Sequence, residues 1–171
     1  KNIKILADFK KRDLSDLTVC ILERPRHKKI IDKLNNLKVN LKLITDGDVS
    51  GALLVTNKKY KVDLFLGIGG GPEGVLAASA LDAYGCNFQG RFIFKTEENQ
   101  KRAKYMGVID LDKKYELNEI IRGDSIFCAT GITDGDLVKG IDISNNLFKS
   151  ETFVTHKKSK TKEIIKKEHT T

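Results

Sequence analysis

The sequence predicts an α/β layered sheet, and three observations carry that expectation. Up to Gly131, short apolar runs of strand length alternate with segments of helical spacing. Beyond Gly131 the chain breaks into short alternating segments separated by turn residues, the mark of antiparallel strands. Between these patterns lies a glycine run, Gly67-Ile68-Gly69-Gly70-Gly71-Pro72-Glu73-Gly74, set between a β-rich segment and a helical one.

Lys1 to Asp16 is polar and amphipathic, with Ile3, Ile5, Leu6, Phe9 and Leu14, and fits the tail of a helix. Leu17 to Leu22 reads as a buried strand that Arg24-Pro25-Arg26-His27 breaks, because proline drives its predecessor out of helix. Ile30, Ile31, Leu34 and Leu37 give a helix over 27–37, and Val39 to Ile44 the next strand. Thr45-Asp46-Gly47-Asp48 ends it before a short helix over 49–55. Val62 to Gly67 is a third strand. Pro72 marks the start of the following helix, since proline is tolerated at a first helical position. Phe88 to Phe94 and Ser125 to Ala129 read as further strands, the latter buried; 97–106 and 117–121 read as helices. Short antiparallel strands follow at 141–143, 150–156 and 161–165.

Three loops follow three successive strands: Arg24 to His27, Asp46 to Asp48 and Gly67 to Gly74. If the strands are parallel, the loops share one edge, where open α/β sheets bind ligands. Arg24 and Arg26 flank Pro25 and offer forked guanidinium donors to phosphate, or are a pair of surface arginines around a helix boundary. Asp46-Gly47-Asp48 either holds sugar hydroxyls or a cation, or is a turn in which Asp48 caps the next helix. The consecutive glycines remove side chains between backbone and ligand, and the helix start favours an anion. Glu73 in that first turn would repel a bare phosphate, so a site using both calls for a cation between them. Gly69 to Gly74 also satisfies the dinucleotide pattern G-x-G-x-x-G with Glu97 downstream, which leaves a nicotinamide oxidoreductase as an alternative. Thr130, Thr133 and Asp134 sit in a further strand-end loop of binding or structural use; His27, His156 and His169 show no metal or triad spacing.

The composition bounds the rest. The apolar fraction is 40%, there is no tryptophan, and the net charge of +8 is carried mostly by lysine, densest from Lys157 to Lys167. Aromatics do not interleave with those lysines, so a solvated face is expected rather than a nucleic-acid surface. Cys20, Cys86 and Cys128 are an odd set, read as free thiols in a reducing compartment, with Cys20 and Cys128 buried. No apolar run approaches the ~20 residues of a membrane span, and a cytoplasmic location is the expectation. The chain starts at Lys1 and its single methionine is Met106, which reads as a portion or processed product of something longer.

Taken together, Glu23-Arg24-Pro25-Arg26-His27, Leu43-Ile44-Thr45-Asp46-Gly47-Asp48-Val49-Ser50-Gly51-Ala52, Gly67 through Ala78, and Ala129-Thr130-Gly131-Ile132-Thr133-Asp134-Gly135 resemble the class II fructose-1,6-bisphosphatases in order and separation. The resemblance implies a layered α/β/α sugar phosphatase of the inositol-monophosphatase-like superfamily, with a mixed sheet in this portion. It implies Mn2+ or Mg2+ as cofactor, a sugar bisphosphate as substrate (fructose 1,6-bisphosphate cleaved at its 1-phosphate, or sedoheptulose 1,7-bisphosphate) and a homo-oligomer. By the same resemblance Arg24, Pro25, Arg26, Asp46, Gly47, Asp48 and Gly70 match substrate-binding positions, and Glu73 a metal ligand. The chain corresponds to the family's C-terminal, substrate-binding portion. The N-terminal region with most metal-binding carboxylates has no counterpart in these 171 residues, so this chain alone is expected to be inactive. The alternative is a non-catalytic phosphosugar-binding fragment.

Overall fold

A computed structural model of the chain describes residues 1–144 and 146–170. Its organising element is β1 (Thr18–Leu22), the middle strand of a parallel three-stranded sheet between β2 (Asn40–Ile44) and β3 (Leu64–Phe65). Thr18 to Leu22 run alongside Asn40 to Ile44, and Val19 and Cys20 alongside Leu64 and Phe65. Val19, Cys20 and Ile21 are 0% exposed, as a parallel strand covered on both faces requires. Leu17 and Val19 pack against α1 (Asn2–Lys10) and α2 (Lys28–Asn36) through Ile3, Ala7 and Leu34. Cys20 faces the other way, onto Leu54, Val62, Ile44 and Phe65. Burial pushes the Cys20 thiol up to about 11, with Lys42 pulling it back only in part, so it is an inert core group.

On that second face lie α3 (Asp48–Leu53) and α4 (Gly71–Asp82). Ala52, Leu53, Ala77, Ala80 and Leu81 meet Phe127 and Phe153 of an antiparallel sheet beyond them. That sheet has β8 (Leu147–His156) at its centre. One side of β8 pairs with β6 (Ile126–Thr130) and, further along, β7 (Asp142–Ser144); the other pairs with β9 (Thr161–Thr170) throughout its length. The architecture is α/β with separate parallel and antiparallel sheets in successive layers. Between them in sequence, β4 (Gln89–Gly90) and β5 (Tyr115–Glu116) form a two-stranded antiparallel pair, joined by exposed α5 (Glu97–Tyr105) and followed by α6 (Leu117–Ile120).

Asp63 anchors the N-terminal helix to the sheet. Its carboxylate accepts from Lys10 Nζ and Arg12 Nη1, both at 2.8 Å, and from the backbone N–H of Thr18 at 2.9 Å. Burial pushes its pKa up, but these donors more than offset that and leave it below the ordinary value of 3.8.

Several expected elements change. The third strand shrinks from 62–67 to two residues. The expected strand over 88–94 survives only at 89–90 and leaves the parallel series, because Phe92 turns its ring onto Phe94 and Tyr115, with centroids 5.8 and 5.9 Å apart. The strand near 126 joins the antiparallel sheet with one face packed, so Phe127 is buried while Cys128, expected to be buried, is exposed. The lysine-rich end is a hairpin in which three lysines meet carboxylates or a ring: Lys157 with Asp82, Lys166 with Glu151, and Lys162 over Tyr84. No helix among the described residues is long and apolar enough to cross a membrane.

Candidate functional site

Because β1, β2 and β3 are parallel, the loops leaving them meet at one edge. The first loop is set by Pro25, which opens a single 3-10 turn over Pro25–His27. That turn defeats the alternation of an extended loop, and both arginines reach neighbouring loops. Arg24 Nη2 lies 3.6 Å from Asp46 Oδ1, and Arg26 Nη2 lies 3.9 Å from Asp48 Oδ2. Arg26 Nε also donates to the carbonyl of Ile68 at 2.5 Å, tying the first loop to the glycine run.

The second loop turns at Gly47, whose φ of 84° lies in the left-handed region that glycine adopts without strain. Its carbonyl accepts from Gly51 N–H at 2.8 Å and Ser50 Oγ at 3.0 Å, which starts α3 at Asp48. No side-chain hydrogen bond from Asp48 caps that helix, so the capping alternative does not account for it. In the third loop, Gly70 stands just before α4 and Pro72 is its second residue. A Cβ on Gly69 would sit 2.6 Å from Asp48 Oδ2, and one on Gly70 would collide with Glu73 Oε2. The two glycines let the Asp48 and Glu73 carboxylates lie against the backbone; a side chain at either position would push a carboxylate aside. Asp48 and Glu73 flank the turn, while the residues of the turn, Gly69 to Glu73, stay exposed.

His27 closes the first of the three loops and, having no metal or triad spacing, reads as either solvent-facing or structural; the structure makes it structural. It is 0% exposed. Its Nδ1–H donates to the Leu22 carbonyl at 2.7 Å, and its Nε2 accepts the Ile68 N–H at 2.8 Å. The two bonds together require the neutral tautomer with the proton on Nδ1. The peptide groups of Ile68 are thus held by His27 at the N–H and by Arg26 at the carbonyl, immediately before Gly69. The available signal was a histidine two positions past a proline that ends a buried strand, which suggests burial but gives no partner.

Pro25 and Gly47 shape the edge through the backbone. In the further strand-end loop, Thr130 shares a hydrogen bond of 2.8 Å with Thr152, and Asp134 accepts from Gly140 N–H at 2.9 Å, closing its own loop, which gives both a structural use. Glu97 begins α5 after β4, outside the parallel sheet, which removes the carboxylate a nicotinamide ribose would use there. A second titratable chain, Asp124–His156–Ser159, links through contacts of 2.8 Å on each imidazole nitrogen. Its serine lies in the exposed hairpin turn, so the chain reads as a clip on that turn.

For a divalent cation the donors are incomplete. Glu73 has the right chemistry, a hard carboxylate oxygen. Among the described residues, however, no three His, Cys, Asp or Glu side chains gather as a metal-holding group. This chain by itself does not fit the cation.

The sequence matches the family described as bacterial fructose-1,6-bisphosphatase, glpX-encoded, over residues 1–169. The chain belongs to that family. It is 38% identical over 178 residues to the D-fructose 1,6-bisphosphatase class 2/sedoheptulose 1,7-bisphosphatase of Synechococcus sp. (strain JA-2-3B'a(2-13)), a match covering 96% of this chain and 51% of that protein. The fructose-1,6-bisphosphatase class 2 of Haemophilus influenzae is 40% identical over 183 residues, covering 99% of this chain and 55% of the relative. A D-fructose 1,6-bisphosphatase class 2/sedoheptulose 1,7-bisphosphatase of Trichodesmium erythraeum is 35% identical, with 99% and 53% covered. The chain spans about half the length of the curated relatives it matches.

Proposed function

We propose that this chain is the substrate-binding portion of a metal-dependent fructose-1,6-bisphosphatase, which releases the 1-phosphate of fructose 1,6-bisphosphate to give fructose 6-phosphate for gluconeogenesis and also accepts sedoheptulose 1,7-bisphosphate. The layered arrangement is consistent with the α/β/α class of the inositol-monophosphatase-like superfamily. The observation that carries the reading is the meeting of the arginine, Asp-Gly-Asp and glycine loops at one edge of the parallel sheet, in a member of this family.

In the free protein the arginines are balanced by loose, solvent-exposed ion pairs with Asp46 and Asp48. Such pairs are worth about 0–1 kcal/mol, whereas each charge-assisted hydrogen bond to phosphate contributes roughly 1.5–3 kcal/mol. A sugar phosphate therefore displaces the carboxylates from Arg24 and Arg26, and the freed Asp46 and Asp48 accept from sugar hydroxyls. Gly69 and Gly70 let the sugar approach the backbone, and His27 and Arg26 keep the Ile68 peptides still while it does so. Mn2+ or Mg2+, when bound, would supply charge neutralisation at the phosphoryl group and acidify water. Glu73 is the ligand assigned to this chain, with the remaining carboxylates drawn from outside it.

The division of labour is tested with the purified chain. Calorimetry should show binding of fructose 1,6-bisphosphate, weakened about tenfold by Arg24→Ala or by Arg26→Ala. Phosphate release should be undetectable with Mn2+ or Mg2+ present. Binding that ignores both substitutions sinks the substrate assignment; metal-dependent release by the chain alone sinks the incompleteness. A second reading is a non-catalytic phosphosugar-binding module. The two part when the other half of a relative is supplied in trans: restored hydrolysis that Glu73→Gln abolishes supports the phosphatase, and intact binding with no hydrolysis supports the module. Neither reading predicts NAD binding.

A further inference from the structure

We propose that His27 is a positioning residue for Arg26: it fixes the Ile68 peptides, and the Ile68 carbonyl in turn fixes the Arg26 guanidinium before an anion arrives. The anion itself, a sugar phosphate, rests on the function proposed for the site. The two arginines of the first loop differ in how they are held. Arg26 Nε donates to the Ile68 carbonyl at 2.5 Å, whereas the Arg24 guanidinium meets only Asp46, at 3.6 Å, among the described residues. With its Nε–H taken, Arg26 offers an anion Nη1 and Nη2, two donors of the kind a forked phosphate contact uses.

The carbonyl that holds Arg26 gets little support from its own stretch of chain. Gly67 precedes Ile68, and Gly69, Gly70 and Gly71 follow it, so the backbone on either side has little stiffness. The last bond to the parallel sheet runs from Leu66 N–H to the Cys20 carbonyl at 3.0 Å, and α4 opens with Gly74 N–H on the Gly70 carbonyl at 3.2 Å. Over Gly67 to Gly69, among the described residues, the backbone hydrogen bonds are those that Ile68 makes with His27 and Arg26. Remove His27, and the Ile68 carbonyl becomes a mobile acceptor.

His27 is a fixed reference because it belongs to the core. It is 0% exposed, and its Nδ1–H is anchored at 2.7 Å on the carbonyl of Leu22, the last residue of β1. Its Nε2 takes the Ile68 N–H at 2.8 Å and also lies 3.1 Å from the Ile68 carbonyl oxygen. In the Nδ1–H tautomer that second contact sets an acceptor against an acceptor, which the Arg26 Nε–H on the same oxygen offsets. His27 and Arg26 therefore hold Ile68 jointly, and the hold of each depends on the other. Immobilising one long side chain at the moment of binding weakens affinity by roughly three- to tenfold. Arg26 avoids that loss by being held beforehand; Arg24 incurs it.

The test has one arm without ligand and one with it. In side-chain nitrogen NMR of the free 171-residue chain, the Arg26 Nε–H should exchange with water at least about tenfold more slowly than the Arg24 Nε–H. His27→Phe should erase that difference in a chain that circular dichroism shows to be folded. In calorimetry with fructose 1,6-bisphosphate, His27→Phe should weaken binding roughly three- to tenfold. The factor should be the same in an Arg24→Ala background and fall below about twofold in an Arg26→Ala background, because residues acting through one contact are not additive. Equal exchange at the two arginines in wild type overturns the proposal without any variant. So does a His27→Phe effect that persists in full once Arg26 is alanine, since His27 would then act on the loop as a whole. Slow exchange at Arg26 in a wild type that binds no sugar bisphosphate supports the hold of His27 on Arg26 and sinks the substrate reading.

Discussion

The parallel and antiparallel sheets of this molecule use the same element for different ends. β1 is covered on both faces and paired on both edges, so nothing of the strand is left over; what it contributes is direction. Its neighbours run the same way, and three loops arrive together at one end. The antiparallel sheet alternates direction, so its loops scatter. Its surplus lies along its length instead, in β9, paired on one side and exposed for nine consecutive residues. The candidate ligand-binding loops accordingly gather at strand ends in the first sheet, while the second sheet leaves a strand exposed along its length.

The sharpest way to break this comparison is to remove the same side chain from each sheet. Ile21 is 0% exposed in β1, and Ile165 is 38% exposed in β9. Ile21→Ala should cost about 2–5 kcal/mol through lost burial and an unfilled cavity. Ile165→Ala should stay within roughly 1 kcal/mol, because little area returns to water. Urea unfolding of both variants checks this; comparable losses would mean that β9 is covered and that its edge is not free.

A smaller effect is expected at His27. His27→Phe keeps the ring but leaves the Leu22 carbonyl and the Ile68 N–H without their side-chain partner. One buried group left unsatisfied costs about 1–3 kcal/mol. Hydrogen exchange should quicken at Ile68, Gly69 and Gly70 while β8 and β9 keep their protection, and sugar-bisphosphate binding should weaken even at temperatures where the variant is fully folded. Faster exchange spread evenly over the chain would reduce His27 to a core residue with no hold on the glycine loop.

These contrasts also explain what could be read from the residues alone. Periodicity found β1, α2, β2 and α3 to within two residues of their ends, whereas the amphipathic stretch over 1–16 is helical only as far as Lys10 before a 3-10 turn. The meeting of Arg24 to His27, Asp46 to Asp48 and Gly67 to Gly74 followed from one assumption, that the strands are parallel. What periodicity could not see was competition. Phe92 and Phe94 look like strand residues, yet they are drawn into an aromatic cluster with Tyr115. Cys128 sits in an apolar run, but only the Phe127 face of that strand meets a helix. Pairwise contacts were also out of reach: proline at position 25 announces a break, not the 3-10 turn that sends Arg24 to Asp46 and Arg26 to Asp48. Glu73 was legible as an awkward carboxylate beside an anion site, and the structure sets that carboxylate against the backbone of Gly70.

The smallest effect concerns pH, at the far end of the parallel sheet from the loops. Asp63 binds Lys10, Arg12 and the Thr18 N–H, and its folded pKa lies below the ordinary value of 3.8. A carboxyl with a depressed folded pKa binds fewer protons folded than unfolded, so its contribution is complete above the unfolded value and is lost as pH falls through the folded one. The window is therefore below about 4, and neutral pH should show no dependence from this group. Asp63→Asn removes the charge and should make the variant less stable than wild type at pH 7, with the gap narrowing between pH 4 and pH 2 as the wild-type carboxyl is protonated. Lys10 and Arg12 are half-exposed at the site, so screening should shrink the gap further at high salt. Urea midpoints at pH 7, 4 and 2.5 measure it. No gap at pH 7 would mean that the Thr18 N–H contact, which an asparagine oxygen can also accept, carries the interaction without help from the charge.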